Sequence, residues 1–524
     1  MTWSKLYGRL DLNLALVVLL TVFAFAPLAY PGFFQSHSGF LPVFHLYDLE
    51  GDLWGNWGWA PHLVTPPNPL TGEGALPYLM AELLRWFGMD GVQAIKGVYA
   101  LGFVISGVTA YLLGRRLFGR AAGLLAAVVY VYVPFHLATV YVRGAFAEAW
   151  AFALFPVVVL CFEKYLRDGS MFSAVSAVLA YVALSSTSLG LALLFAVLVL
   201  LYIVAMGPSR QAKRYAFILL VLALGSALVL QLPTVVRYGL PAMREEGFAQ
   251  HFVYPFQLLS AGWGYGASIP GFKDTLPLQV GLAATGLTVV TVILLPGQRG
   301  TSPRVVRTSG FFVAAAAVMV FLVTQPASLF WQVTRLSSAV SYPWQVLSLA
   351  VFAMSMASAA TVRLEPRLGR LPWQAVLVSL VILGSYDYLS PRFTDVRVGG
   401  SPVAVLGNEA MLLAYQRDGP LRHGATVRLT LYWQSLCPIE TDYTVFVHLV
   451  DQEGTIWAQR DSMPVDGERP TSAWQLGEII GDTHVMTIDV EGPREGYVVE
   501  VGLYDHNTGT RLPLSSGATA ITLE

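Results

Sequence analysis

"TVYVRGAFAEAWAF" (139–152) sets an arginine and a glutamate five residues apart between two runs that otherwise read as lipid-soluble. Ionised side chains beside hydrocarbon are costly and call for a reason. Arg143 and Glu148 therefore mark a membrane edge, a helix-packing bridge or a reaction site. What the flanking runs are decides the fold, and with it the choice among these three.

Both runs belong to a series. The chain has 524 residues, 55% hydrophobic and 12% charged, whereas a soluble domain is about 25% charged. Its apolar residues gather into runs long enough to cross a hydrocarbon core as helices. Eleven spans are expected, near 12–30, 92–113, 121–139, 146–166, 171–188, 189–207, 214–236, 277–296, 309–325, 343–361 and 371–389. The first follows Lys5 and Arg9 but lacks a small-x-small cleavage site, so it reads as a retained helix rather than a signal peptide. The fold class expected is an α-helical polytopic membrane protein.

Alternate connections carry the basic residues: Lys5 and Arg9, "GRRLFGR" (114–120), "EKYLRDG" (163–169), "PSRQAKR" (208–214), "PGQRGTSPRVVR" (296–307) and "RLEPRLGR" (363–370). The positive-inside rule makes this set cytoplasmic, with the N-terminus. Residues 31–91, residues 237–276 and everything after about 390 then face outward, as does the short turn holding Arg143 and Glu148. The net charge of −1 gives no case for nucleic acid. Two cysteines, Cys161 and Cys437, supply neither a disulfide framework nor a cysteine zinc site.

The chain divides into a membrane domain over 1–390 and a second domain over 391–524. The second has no lysine from about residue 395 onward and alternates with period two in "ATVRLTLYW" (425–433), "DYTVFVHLV" (442–450), "HVMTIDV" (484–490) and "GYVVEVGLYD" (496–505). Short alternating strands separated by turns such as "DQEG" and "NTG" predict an extracytoplasmic antiparallel β-sandwich. It either binds sugar or packs against the helices. In the first outer loop, "ALPYLMAELLRWFG" (75–88) has apolar residues at helical spacing and reads as an amphipathic interfacial helix. "HLYDLEGDLWGNWGWAPH" (45–62) combines three acids, three tryptophans and two histidines. Interfacial anchoring accounts for the tryptophans, but three acids within five residues require solvent, a cation or a base to offset them.

These residues resemble the GT-C superfamily of polytopic glycosyltransferases, which take sugars from polyprenyl-phosphate donors. More narrowly the chain is similar to a bacterial branch labelled 6-pyruvoyl-tetrahydropterin-synthase-related membrane proteins. The likeness rests on "PGFFQSH" (31–37), "FHLY" (44–47), "YVRGAFAEAWAFALFP" (141–156), "HFVYPFQLLSAGWGYG" (251–266), "YPWQ" (342–345), "LTLYWQSL" and "DYTVFVHLVDQEG". It implies a multi-pass protein of the bacterial inner membrane with its reaction centre on the outer side. There an acidic first-loop residue serves as general base or metal contact. The partners implied are a polyprenyl-phosphate-linked sugar, membrane lipid and a glycan, lipid or protein acceptor.

On this resemblance Arg143 faces the donor phosphate, since the guanidinium fork suits phosphate. Glu148 supports it or a divalent cation, Mg or Mn, which the chemistry allows without requiring. The competing reading has Arg143 reaching lipid headgroups and Glu148 at the start of the fourth helix. Three departures stand against catalysis. Ser38 in "SHSGF" occupies the place of an expected Asp; "LVTPPNPLTGEGALPY" replaces a glycine–tyrosine-rich run; and "SSTS" (185–188) replaces a His-Asn pair. Asp48, Glu50 and Asp52 are candidates for the missing acid, with Asp48 and Asp52 joining Glu148 as the catalytic set. His37, His45, Glu50, His251 and Tyr254 are placed along the donor or acceptor path, and His136 reads as a packed histidine.

Two functions stay open: a glycosyltransferase, and a non-catalytic relative that binds lipid-linked sugar or scaffolds envelope assembly. A secondary transporter fits poorly, because the middles of the spans are nearly free of charge and no inverted repeat is evident.

Overall fold

A computed structural model describes residues 11–52, 74–238, 245–260, 262–298 and 300–523. Glu50 and Asp52 enter only as helix backbone, and their side chains lie outside the described residues. The helices are α1 (Leu12–Phe25), α2 (Leu41–Asp52), α3 (Leu76–Trp86), α4 (Gly91–Phe118), α5 (Arg120–Tyr132), α6 (Pro134–Tyr141) and α7 (Phe146–Asp168). They continue as α8 (Met171–Ser185), α9 (Leu189–Met206), α10 (Arg210–Tyr238), α11 (Leu282–Leu294), α12 (Pro303–Leu322), α13 (Leu347–Leu364) and α14 (Leu371–Leu383). Seven of the described helices are long and apolar enough to cross a membrane. The pair α5–α6 qualifies together, and α8, α11 and α14 are shorter apolar helices. Together they fall on the predicted runs. α7 and α13 form the buried centre of the bundle, while α1 and α10 leave most of their surface uncovered.

The third predicted span is not straight. It bends by 42° between α5 and α6, where Pro134 has no N–H to offer the Tyr130 carbonyl four residues back. His136 supplies the missing donor: its Nδ1 lies 2.9 Å from that carbonyl, and its ring stacks on Phe152 at 4.1 Å. The orphaned carbonyl is thus satisfied inside the protein, as it must be away from water. Beyond the bend α6 is buried along its whole length and ends at a tight turn. Gly144 takes φ +60 there, and a Cβ would stand 2.3 Å from Ser36 Oγ. Only glycine fits.

α3 shows the expected amphipathic character, with Leu79, Leu83, Trp86 and Phe87 exposed and Tyr78 and Ala81 buried. Lys96 Nζ donates to the carbonyls of Tyr30 (2.6 Å) and Gly32 (2.8 Å), tying α4 to the chain leaving α1. At the end rich in basic connections, Glu163 is fully buried and accepts from Arg167 Nε (3.0 Å), Tyr202 OH (2.9 Å) and Arg304, joining α7, α9 and α12.

The first strand, β1 (Phe33–Phe34), pairs antiparallel with β2 (Phe393–Thr394), so the chain leaving α1 meets the chain leaving α14. The remaining strands are β3 (Ala404–Leu406), β4 (Ala410–Asp418), β5 (Thr426–Ser435), β6 (Tyr443–Val450), β7 (Ile456–Ser462), β8 (Ile479–Thr487), β9 (Val498–Asp505) and β10 (Ile521–Leu523). They build two antiparallel four-stranded sheets, ordered β10-β9-β6-β7 and β3-β4-β5-β8. Inward residues such as Leu412, Leu431, Trp433, Val447 and Val501 fill the space between them. The opposite face of the second sheet is buried too: Val405, Met411 and Leu413 belong to the core of the helical part. The sandwich is therefore packed onto the bundle. Gln434 pins it in place, its Oε1 accepting from the Phe40 N–H at 3.0 Å and its Nε2 donating to the Ser38 carbonyl at 3.4 Å.

Candidate functional site

The loop-rich end of the bundle holds an open cavity of about 270 Å³, lined in part by Arg143, Ala145, Ala147 and Glu148 from the opening stretch of sequence. Arg143 and Glu148 both line it, with only 9% and 5% of each exposed. Arg143 Nη2 donates to Glu148 Oε2 at 2.5 Å, and Nη1 lies 3.5 Å from Thr139 Oγ1. The pair forms because α6 stops at Tyr141 and α7 starts at Phe146. The intervening turn folds the arginine back over the first turn of α7, where Glu148 also faces the positive end of the helix. The carboxylate's other oxygen, Oε1, is buried without a hydrogen-bond partner.

The first loop supplies the next wall. The His37 N–H donates to the Val142 carbonyl (2.8 Å), while the Ser38 N–H and hydroxyl both donate to the Arg143 carbonyl at 3.2 and 3.1 Å. His37 Nε2 lies 3.0 Å from the Tyr265 carbonyl. Burial pushes His37 down to about 4; the Tyr265 carbonyl opposes that shift and the nearby Arg143 charge adds to it. His37 is a neutral hydrogen-bonding group at neutral pH.

"YPWQ" and the segment before α11 complete the enclosure. The Arg143 guanidinium carbon sits 4.4 Å over the Trp344 ring, and Tyr342 stacks on Trp344 with centroids 4.9 Å apart and planes at 11°. This aromatic backing fixes the guanidinium without using its N–H groups. Trp344 Nε1 donates to Ser268 Oγ (3.1 Å), which donates to Asp274 Oδ2 (2.8 Å) and lies 2.9 Å from His251 Nδ1. Ser188, which caps α9, and Leu476, from the sandwich, also line the cavity. Beside Leu476, Gly477 rests so closely on the first loop (φ +72) that a Cβ would stand 2.0 Å from the Ser36 carbonyl.

The structure thus gathers His37, Ser38, Arg143 and Glu148 around one space, with His251 reaching it through Ser268. His45 contacts Tyr78 (3.4 Å) away from the cavity lining, Asp48 does not line it, and Tyr254 is exposed. The side chains of Glu50 and Asp52 lie outside the described residues. The roles of Trp344, Ser268 and Asp274 were not read from the sequence. "YPWQ" was noticeable as a motif, and no periodicity connects it to Arg143. Among the described residues no three His, Cys, Asp or Glu side chains converge on a point. Among the described residues the lining offers one carboxylate, already held by an arginine. Those described donors do not by themselves make a site for a divalent cation.

The oligosaccharyl transferase STT3 N-terminal family matches residues 56–366, more than half of the chain. The chain belongs to that family, and so to the GT-C superfamily of membrane glycosyltransferases. Among solved structures it is similar to the mycobacterial arabinofuranosyltransferase AftD (14% identity, 74% of this chain and 29% of that one, TM-score 0.47). It is also similar to ArnT from Cupriavidus metallidurans bound to undecaprenyl phosphate (16%, 70% and 77%, 0.34) and to an Archaeoglobus fulgidus oligosaccharyltransferase in complex with Zn and sulfate (14%, 72% and 52%, 0.37). The chain spans under a third of AftD's length. No curated protein matches it.

Proposed function

We propose that this chain transfers a sugar from a polyprenyl-phosphate carrier to a hydroxyl-bearing acceptor in the cavity at the outer face of a bacterial inner membrane. The observation that carries the reading is the Arg143–Glu148 pair: a guanidinium held by one carboxylate oxygen and one aromatic ring, beside a second carboxylate oxygen that is buried and unpaired. Buried polar atoms without partners are uncommon and point to something that binds them. Arg143 retains N–H groups for the donor phosphate, on which negative charge accumulates as the glycosidic C–O bond breaks. Glu148 holds Arg143 through Oε2 and accepts a hydroxyl of the donor sugar through Oε1. Membership of the STT3 family supports glycosyl transfer as the class of reaction.

The test is transfer by the detergent-purified protein from a panel of radiolabelled polyprenyl-phosphate sugars. Turnover that collapses in Glu148→Gln and Arg143→Ala is the expected result. Turnover unaffected by either change overturns the assignment. Ser38, standing where the resemblance expects an Asp, favours the alternative of a relative that binds lipid-linked sugar without transferring it. That alternative requires saturable donor binding, lost in Arg143→Ala, with no turnover from any donor.

A further inference from the structure

Glycosyl transfer to a hydroxyl needs a proton acceptor, and Ser38 stands where the resemblance implies an Asp. Glu148 is committed to Arg143 through one oxygen. The described walls contain another carboxylate one hydrogen bond from the cavity. Ser268 lines the space, and its hydroxyl donates to Asp274 Oδ2 at 2.8 Å. We infer that Asp274, acting through the Ser268 hydroxyl, receives the proton of the incoming acceptor hydroxyl; this rests on the transfer reaction proposed above.

Ser268 has one O–H and two lone pairs. The O–H is spent on Asp274, and one lone pair takes the Trp344 Nε1–H at 3.1 Å. His251 Nδ1 lies 2.9 Å away; with the imidazole proton on Nε2 it is an acceptor that competes with Asp274 for the Ser268 proton and leaves the second lone pair open to a hydroxyl arriving in the cavity. The acceptor's R–OH then gives its proton to Ser268 Oγ as the Ser268 proton passes to Asp274 Oδ2. The freed oxygen pair forms the new bond to the anomeric carbon. The old bond from that carbon to the phosphate oxygen breaks, and its electron pair leaves on the phosphate against Arg143. Asp274 ends protonated and releases that proton by the reverse route once products depart. Trp344 links the two halves of the reaction, since its face backs Arg143 and its edge anchors Ser268.

The surroundings of Asp274 suit the role. Oδ1 accepts from the Leu276 N–H (2.9 Å), which fixes the carboxylate with Oδ2 toward Ser268. Burial raises its pKa above the ordinary carboxylate value; the Leu276 and Ile269 amides, the Ser268 hydroxyl and His251, the titratable side chain facing it from the preceding segment, pull the other way. A base must be ionised to act, so transfer falls as pH drops through a limb displaced upward from the ordinary carboxylate value.

The experiment measures single-turnover transfer against pH for wild type, Asp274→Asn, Ser268→Ala and Ser268→Thr, using the polyprenyl-phosphate sugar that wild type turns over. Donor binding and thermal unfolding are measured alongside. Expected are losses of about 10²–10⁴-fold in Asp274→Asn and Ser268→Ala, disappearance of the acidic limb, unchanged donor binding, and recovery in Ser268→Thr, which keeps the hydroxyl. Wild-type turnover with Asp274→Asn within threefold of it, or with the limb intact, overturns the relay alone. A wild type that transfers no donor overturns the transferase reading and the relay with it. A structural role for Asp274 lowers the unfolding temperature and leaves the limb in place, which also overturns the proposal.

Discussion

Arg143 Nη2 lies 2.5 Å from Glu148 Oε2 although the residues are five apart, a spacing that on one continuous helix sets side chains about 140° apart around the axis. The chain turn between α6 and α7 removes that separation. Neither residue tolerates the loss of the other well, because an ion left alone where both are at least nine-tenths buried costs about 3–5 kcal/mol.

Glu148→Gln therefore lowers the thermal unfolding temperature in detergent, while Arg143→Met combined with Glu148→Gln recovers much of that loss and none of the transfer. Unfolding temperatures and transfer rates of the two single variants and the double variant measure it. Equal stability across the set would show that the pair carries no structural cost, leaving its role purely chemical.

Trp344 offers a separable contribution. Its ring backs Arg143 and its Nε1–H holds Ser268. Trp344→Phe keeps a ring face and removes the N–H, so donor affinity changes little while turnover drops. Trp344→Ala also frees the guanidinium, and donor binding weakens by about 0.5–2 kcal/mol. Titration of a polyprenyl-phosphate sugar, read beside transfer rates, separates the two. Equal loss of donor affinity in both variants would rule out the division of roles.

The sandwich should matter to the cavity although it belongs to the other end of the chain. Gln434→Ala leaves the buried Phe40 N–H without an acceptor, a cost of about 1–3 kcal/mol, and Gly477→Val drives a side chain into the Ser36 and His37 carbonyls. Both variants raise hydrogen exchange at residues 36–40 and reduce transfer with the sandwich still folded. Unchanged exchange there would mean that the sandwich rides on the bundle without shaping the site.

The apolar runs carried most of the membrane part, because hydrocarbon thickness imposes a length that composition alone reveals. The sandwich was equally readable from period-two alternation. What stayed hidden was contact at a distance. Phe40 and Gln434 are 394 positions apart, and nothing in either segment names the other. Trp344 and Ser268 likewise meet only because the turn before α13 and the segment before α11 are folded against each other. Pro134 lies inside an apolar run, and composition alone does not reveal that the span bends there. His136, read as a packed histidine, proves to be the group that makes the bend affordable.

Stability should respond to acid through His37. Its folded-state value of about 4 lies below the ordinary 6.5, so between those pH values the unfolded chain binds a proton that the folded chain refuses. Linkage then makes stability fall as pH drops from about 6.5 toward 4. The unfolding temperature of wild type follows that slope, and His37→Asn shows a shallower one. Identical slopes would assign the acid sensitivity to other groups.

The bend in the third span gives a stricter test of how the site is positioned. Pro134 removes the donor for the Tyr130 carbonyl and His136 Nδ1 replaces it. His136→Phe keeps the stacking on Phe152 but strands the carbonyl, at about 1–3 kcal/mol. Pro134→Ala restores a backbone N–H and permits a straight helix. Because both changes act on one carbonyl, they are not additive: Pro134→Ala offsets much of the stability loss of His136→Phe. It does not restore transfer, since straightening α6 moves Arg143 away from Glu148 and Trp344. A double-mutant cycle on unfolding temperature, with transfer measured for each variant, checks both halves. Additive stability losses would mean that His136 does not serve the carbonyl. Full activity in Pro134→Ala would mean that the bend is not what places Arg143.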